Sequence, residues 1–389
     1  MNWKCVFVAS SALAVFALAP RAAHHTSVSV IRVPNGGIQP QAMMEDGTLH
    51  LVYFSGDPKA GDLFYVKSPD YGASWSVPVR VNNEQGTAIA IGTIRGGQMA
   101  IGRKGRIHVA WNGSSVAQSD GPLNPESGQR GAPMLYARLN DAGTGFEPER
   151  NLMRRTFGLD GGGTVAADAA GNVYVAWHGK SPGAAKGEAG RQVWVAVSRD
   201  DGKTFAAEQA AWNEQAGACG CCGMAVLADS KGVVRALFRS ATEEIHRDVY
   251  LLTSADSGRS FDGRKLHTWN INACPMSSME LAQGDGEVVG VWETGEQVYF
   301  EKLTGSNAGP VSAPGGAKAR KHPRVAISPN GEMLMIWTEG TGWQRGGSLA
   351  WQLFDGSGKP VGDLGQVQGV PTWSFGAVVA RTDGFVIIY

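Results

Sequence analysis

GTVAADAAGNVYVAW, residues 163–177, pairs a strand of small residues with a second strand ending on an aromatic, joined by a polar, glycine-containing turn. Large and small residues alternating across such a turn mark a β-hairpin. Six other stretches repeat the pattern: QPQAMMEDGTLHLVYF (39–54), GQMAIGRKGRIHVAW (97–111), GMAVLADSKGVVRALF (223–238), SMELAQGDGEVVGVW (278–292), PRVAISPNGEMLMIW (323–337) and GAVVARTDGFVIIY (376–389). The second strands end on Phe54, Trp111, Trp177, Phe238, Trp292, Trp337 and Tyr389. Self-similarity at this spacing is the signature of a repeat architecture. Small first strands suit a crowded place, such as the innermost strand of a radial blade.

A third strand follows most hairpins, as in DLFYVKS (62–68), RQVWVAVS (191–198) and RDVYLLTS (247–254). Directly after these come SPDYGASW (68–75), SRDDGKTF (198–205) and SADSGRSF (254–261), then a fourth strand such as SVPVRVN (76–82). The repeated motif is therefore a turn. Its Asp accepts backbone N–H groups, its Gly takes a positive φ and its aromatic packs beneath the loop. Weaker copies lie at 140–146 and 354–360. The expected fold is an all-β propeller of four-stranded antiparallel blades. Seven blades are expected, or six if one hairpin is a decoration. The seventh hairpin ends at Tyr389, so SVSVIRV (27–33) is expected to supply the missing outer strand and close the ring.

Lys4 and the apolar run at 5–19 read as a secretory leader, with cleavage after Ala19 or Ala23. The expected division is a leader over 1–23 and one propeller domain over 24–389, periplasmic or secreted. Zero formal net charge gives no electrostatic footprint for nucleic acid or an anionic membrane.

The repeated turn resembles the Asp box, or bacterial neuraminidase repeat, of the sialidase superfamily. The likeness covers essentially the whole mature chain as a blade pattern, and it implies fold far better than function. Sialidase chemistry needs an arginine triad for the substrate carboxylate, a tyrosine nucleophile polarised by a glutamate, and an acidic proton donor. By resemblance, Arg247 in FRSATEEIHRDVYLLTSADSG (238–258) matches a triad arginine, with Arg239 beside it. Arg345 and Arg324 are the further ligand-binding candidates, and Asp62 stands close to the general-acid position. Trp373, in TWSFGAVV, stands where the family carries its tyrosine, and ACGCCGM (218–224) replaces the glutamate region. An indole cannot serve as that oxygen nucleophile. These departures count against ordinary sialidase turnover while leaving ligand binding open, with Trp373 as part of the wall.

Cys219, Cys221 and Cys222 precede the fourth inner strand and Cys274 the fifth, so all four should converge at one end of the axis. Three readings stay open. One is disulfides, with Cys274 bonded to Cys221 or Cys222. Another is a soft metal such as Cu(I) or Zn, with Met224, Met276 or His246 as additional ligands. The third is a redox-active dithiol.

The sequence thus leads to an exported sialidase-like propeller that binds an acidic glycan or a metal at its axial mouth. Two alternatives stand beside it. One is a glycoside hydrolase on sialic acid or another acidic sugar, with Asp62 as acid and Glu243 or Glu244 activating water. The other is a scaffold or assembly factor that presents its rim to a protein partner.

Overall fold

The computed structural model describes Met1 and residues 26–284, 286–305, 309–316 and 319–389. The expected leader (apart from Met1) and the histidines at 24 and 25 lie outside the described residues. Seven sheets are present, six four-stranded and one three-stranded. The inner strands are Ile38–Glu45, Gln98–Ile101, Thr164–Ala167, Ala225–Ala228, Met279–Gln283, Arg320–Ile327 and Ala377–Arg381. Each packs against the next, and the seventh against the first, so the ring is closed. Among the described residues no helix is long and apolar enough to cross a membrane.

Every blade interface has its own apolar cluster, seven in all around the ring. The aromatics that end the hairpins anchor these clusters. Trp111, Trp177, Trp292 and Trp337 have no solvent exposure, and Phe54, Phe238 and Tyr389 have 6% or less. Truncating one such side chain to alanine costs ~3–5 kcal/mol. The repeated hairpin therefore determines both the blade and the contact between blades.

Four of the six fourth strands are very short, while Asp262–His267 and Pro360–Val370 are longer. Val79–Arg80, Arg150–Asn151, Gln209–Ala210 and Val311–Ser312 hold two residues each. Short edges limit unwanted strand pairing between molecules.

Blade 7 is closed by the N-terminal strand, as expected, in three strands. Ser27–Ile31 pairs with Gly384–Ile388 in parallel and takes the third position of a three-stranded sheet. The inner strand of blade 1 starts at the end of the axis where Gly384–Ile388 finishes. The closing strand must arrive there, and only a parallel run delivers it. Arg32 follows this strand and lies 3.9 Å above the ring of Tyr389.

The three Ser-x-Asp turns are alike. In the second, Asp200 accepts the Thr204 N–H at 2.8 Å and the Thr204 hydroxyl at 2.6 Å, while the Gly202 N–H donates to Ser198 Oγ at 2.9 Å. Asp70 and Asp256 repeat this with Ser74 and Ser260. Gly202 has φ +75°, and a Cβ there would sit 1.9 Å from the Tyr136 hydroxyl of the preceding blade. The turns brace neighbouring blades on the rim, away from the axis.

Candidate functional site

The axis has two unlike ends. From the hairpin-turn side it is a channel of about 790 Å³. Ala100, Val165, Val226, Leu281, Ala326 and Val378 belong to its wall. At the end where the inner strands begin, the crossover from blade 1 to blade 2 folds over the axis. Gln39 holds this loop by donating from Nε2 to the carbonyls of Ala90 and Trp373, both at 2.7 Å. Arg95 fastens it to Asp160, donating to Oδ1 at 2.5 Å and to the backbone carbonyl at 2.6 Å. Ile94 then plugs the axis: a Cβ at Gly161 would lie 2.1 Å from its Cδ1, and the void left beside it is about 20 Å³. The open axial mouth expected at this end is closed by that loop.

Against this cap sits the cysteine loop, and here the sequence reading holds. Cys221 is bonded to Cys274, while Cys219 and Cys222 are free and buried. The Sγ atoms of Cys219, Cys221 and Cys222 lie within 4.8 Å of one another. Cys219 Sγ is 2.9 Å from Cys222 Sγ and 3.5 Å from Cys221 Sγ. Met276 packs against the group from a left-handed backbone conformation, φ +48°, an arrangement that for a non-glycine residue persists only where the surroundings enforce it. Two strand ends frame the loop, with the Cys219 N–H donating to the Arg239 carbonyl at 2.9 Å and the Gly223 N–H to the Ser277 carbonyl at 2.8 Å. Met224, the other thioether candidate, packs in the cluster between blades 3 and 4. His246 is bound to Asn270 at 2.8 Å.

Arg239 and Arg247 flank the sulfurs. Arg239 is 2% exposed and donates to Ser277 Oγ at 2.7 Å and to the carbonyls of Arg247 and Glu293. Arg247, 4% exposed, pairs through Nη1 with Glu188 Oε2 at 2.6 Å. Glu188 also accepts the Gly220 N–H at 2.6 Å, tying the arginine to the cysteine loop. Burial opposes charge on Cys222. The Cys219 thiol, the Arg239 guanidinium and Ser277 outweigh it and bring the Cys222 pKa down to about 7, while hydrogen bonding to Cys222, together with burial, pushes Cys219 up.

The other candidates are placed elsewhere. Asp62 serves a loop of blade 1, accepting from Asn82 Nδ2 at 2.7 Å and the Gly86 N–H at 2.8 Å. Arg324 lines the channel beside Glu280, Nε to Oε1 3.7 Å, with the Phe375 ring 4.5 Å away. Arg345 is exposed on a turn. Trp373 is buried, its ring edge against the exposed Trp343 at 4.6 Å between centroids. Glu243 and Glu244 are exposed, and Glu244 accepts the Glu188 N–H at 3.2 Å. The arginines thus do not converge on one empty hollow. Glu188 was missed, because an acid inside a glycine-rich loop carries no periodicity that places it. Glu293 was missed too: it is 1% exposed and its pKa is raised by burial.

No family model matches the chain, and no curated protein matches it. Solved structures do. An ulvan lyase, a polysaccharide lyase, aligns at TM-score 0.52 and 13% identity over 91% of this chain and 87% of its own. A protein of unknown function from Dyadobacter fermentans aligns at 0.51 and 16%, over 80% and 93%. The sialidase of Trypanosoma rangeli aligns at 0.50 and 13%, over 82% of this chain and 56% of its own. This chain's seven-bladed propeller is thus similar in fold to the ulvan lyase and to the sialidase.

Proposed function

We propose that this is an exported propeller of sialidase fold, without sialidase turnover, that holds a soft monovalent metal ion of the Cu(I) type at the capped end of its axis. The observation carrying this reading is the free, buried Cys219–Cys222 pair, 2.9 Å between sulfurs, with the Met276 thioether packed against it. Thiolate and thioether donors select soft ions. A set of two thiolates and one thioether suits low-coordinate Cu(I) better than Zn, which wants four ligands. Two thiolates on a monovalent cation leave one net negative charge, and the Arg239 guanidinium, bonded to Ser277 Oγ and backbone carbonyls, stands beside it to balance that charge.

The same surroundings disfavour hydrolysis. Arg247 is neutralised by Glu188, Arg239 is spent on carbonyls, Ile94 fills the axis, and Trp373 replaces the nucleophile. An acidic glycan finds no unpaired arginine there. The disulfide and the N-terminal apolar run support an exported location.

The test is native mass spectrometry of the mature protein titrated with Cu(I) against a competing chelator. One ion per chain, lost in Cys219→Ser and in Cys222→Ser, is expected. Absence of binding at a one-to-one ratio overturns the metal assignment. Turnover of a fluorogenic sialoside that vanishes in Arg247→Ala overturns the rest.

A further inference from the structure

The four sulfurs form a line from the interior to solvent. Cys222 Sγ lies 2.9 Å from Cys219 Sγ, which lies 3.5 Å from Cys221 Sγ, and Cys221 is bonded to Cys274. Cys219 and Cys222 are 1% exposed, Cys221 is 9% exposed, and Cys274 is open to solvent. Cys274 is therefore the most accessible point of contact for an external molecule. Exchange requires a thiol to attack a disulfide sulfur at close range, and Cys219 is held at that range by its N–H bond to the Arg239 carbonyl, 2.9 Å.

We infer that these cysteines are a thiol–disulfide relay, through which the buried pair delivers two electrons to a disulfide on another molecule. Cys219 sulfur attacks Cys221 Sγ. A Cys219–Cys221 bond forms, the Cys221–Cys274 bond breaks, and the proton lost by Cys219 passes to the departing Cys274. Cys222 then attacks Cys219 Sγ, forming a Cys219–Cys222 disulfide and releasing Cys221 as a thiol. Two electrons have moved outward with no net oxidation. The freed Cys274 and Cys221 can then reduce an external disulfide to two thiols, re-forming their own bond. The inference goes beyond the metal reading and does not depend on it.

Metal-free protein poised with two free thiols per chain is held in N-ethylmaleimide without reductant, acid-quenched and digested with trypsin. Cleavage after Lys203, Lys231, Lys265 and Lys302 puts Cys219, Cys221 and Cys222 in 204–231 and Cys274 in 266–302. The present disulfide joins these two peptides, whereas an inner one joins none. Labelling of Cys274 should drain the exchange, so the joined peptides disappear and a Cys219–Cys222 disulfide replaces them. In Cys219→Ser the loss should slow at least about 10-fold. In Cys222→Ser it should stop at a Cys219–Cys221 bond with Cys274 labelled, and thermal unfolding of both variants reports that they fold. Persistence of the joined peptides in the wild type, or equal loss in Cys219→Ser, overturns the relay. A protein that binds Cu(I) but keeps the joined peptides loses the relay alone; one that exchanges but binds no ion loses the metal reading alone.

Discussion

Where the seven hairpins turn, the axis is an open channel of about 790 Å³ walled largely by small and apolar side chains; where the same strands begin, Ile94 leaves about 20 Å³. The strands cannot account for the difference, since they run through both ends. It comes from the crossovers. At the turn end each connection is a tight loop that stays within its blade. At the other end the chain passes between blades and between second and third strands, and these longer segments are free to fold inward. They bring Arg95, Glu188 and four cysteines to one place. Chemistry collects where the repeat is interrupted.

Arg239→Ala is the strongest way to break this contrast. It strips charged donors from Ser277 and two buried carbonyls, and stability should fall by about 4 kcal/mol in denaturant unfolding. Ala228→Ser, on the channel wall, should change it by less than ~0.5 kcal/mol. Equal losses would mean that the capped end is no more tightly built than the open one.

Ile94→Ala should cost ~2–3 kcal/mol and open the axis from above. Alkylation of Cys222 in the native state should then quicken, and an unchanged rate would show that another group seals the sulfurs.

Acid should weaken the capped end. His178 and His322 are buried beside the cap, bonded to the Cys222 carbonyl at 3.2 Å and to Ser278 Oγ at 3.0 Å. Burial first, then neighbouring Arg191, depresses the His178 pKa to about 4; burial, then Lys321 and Arg324, depresses that of His322. A base with a depressed folded pKa stabilises the fold fully above its unfolded value near 6.5 and loses that contribution as pH falls. For His178 the loss should run from pH 6.5 to about 4 and reach on the order of 3 kcal/mol. His178→Gln should flatten this limb in pH-dependent unfolding.

At the turn end carboxylates join a buried histidine, His108, whose pKa burial and then Arg106 and Arg138 depress to about 3. Burial opposes ionisation of Asp200, but bonds from Thr204 and Ser198 prevail and hold its pKa at about 2. Its contribution is therefore complete above pH 4 and disappears towards pH 2. Because it is partly exposed, Asp200→Ala should cost no more than ~1 kcal/mol. The smallest expected effect thus appears at the most acidic pH.

The same division explains what could be read from sequence. Trp111, Trp177, Trp292 and Trp337 announce the blades because a repeated packing problem has a repeated answer. Cys219 and Cys274 could be placed together because each directly precedes an inner strand, whose position the repeat supplies. Ile94 and Glu188 could not, because their loops are single-copy and their paths are set by contacts with other blades. The parallel entry of Ser27–Ile31 follows from the order of the hairpins along the chain, although strand composition alone carries no direction.

That entry has a consequence for how the molecule comes into being. Residues 27–31 have their partner in residues 384–388, the far extreme of the chain. During synthesis the ring must wait as an unclosed arc until residues 384–388 have emerged. Until then the first and seventh blades cannot meet, and the circle cannot lock.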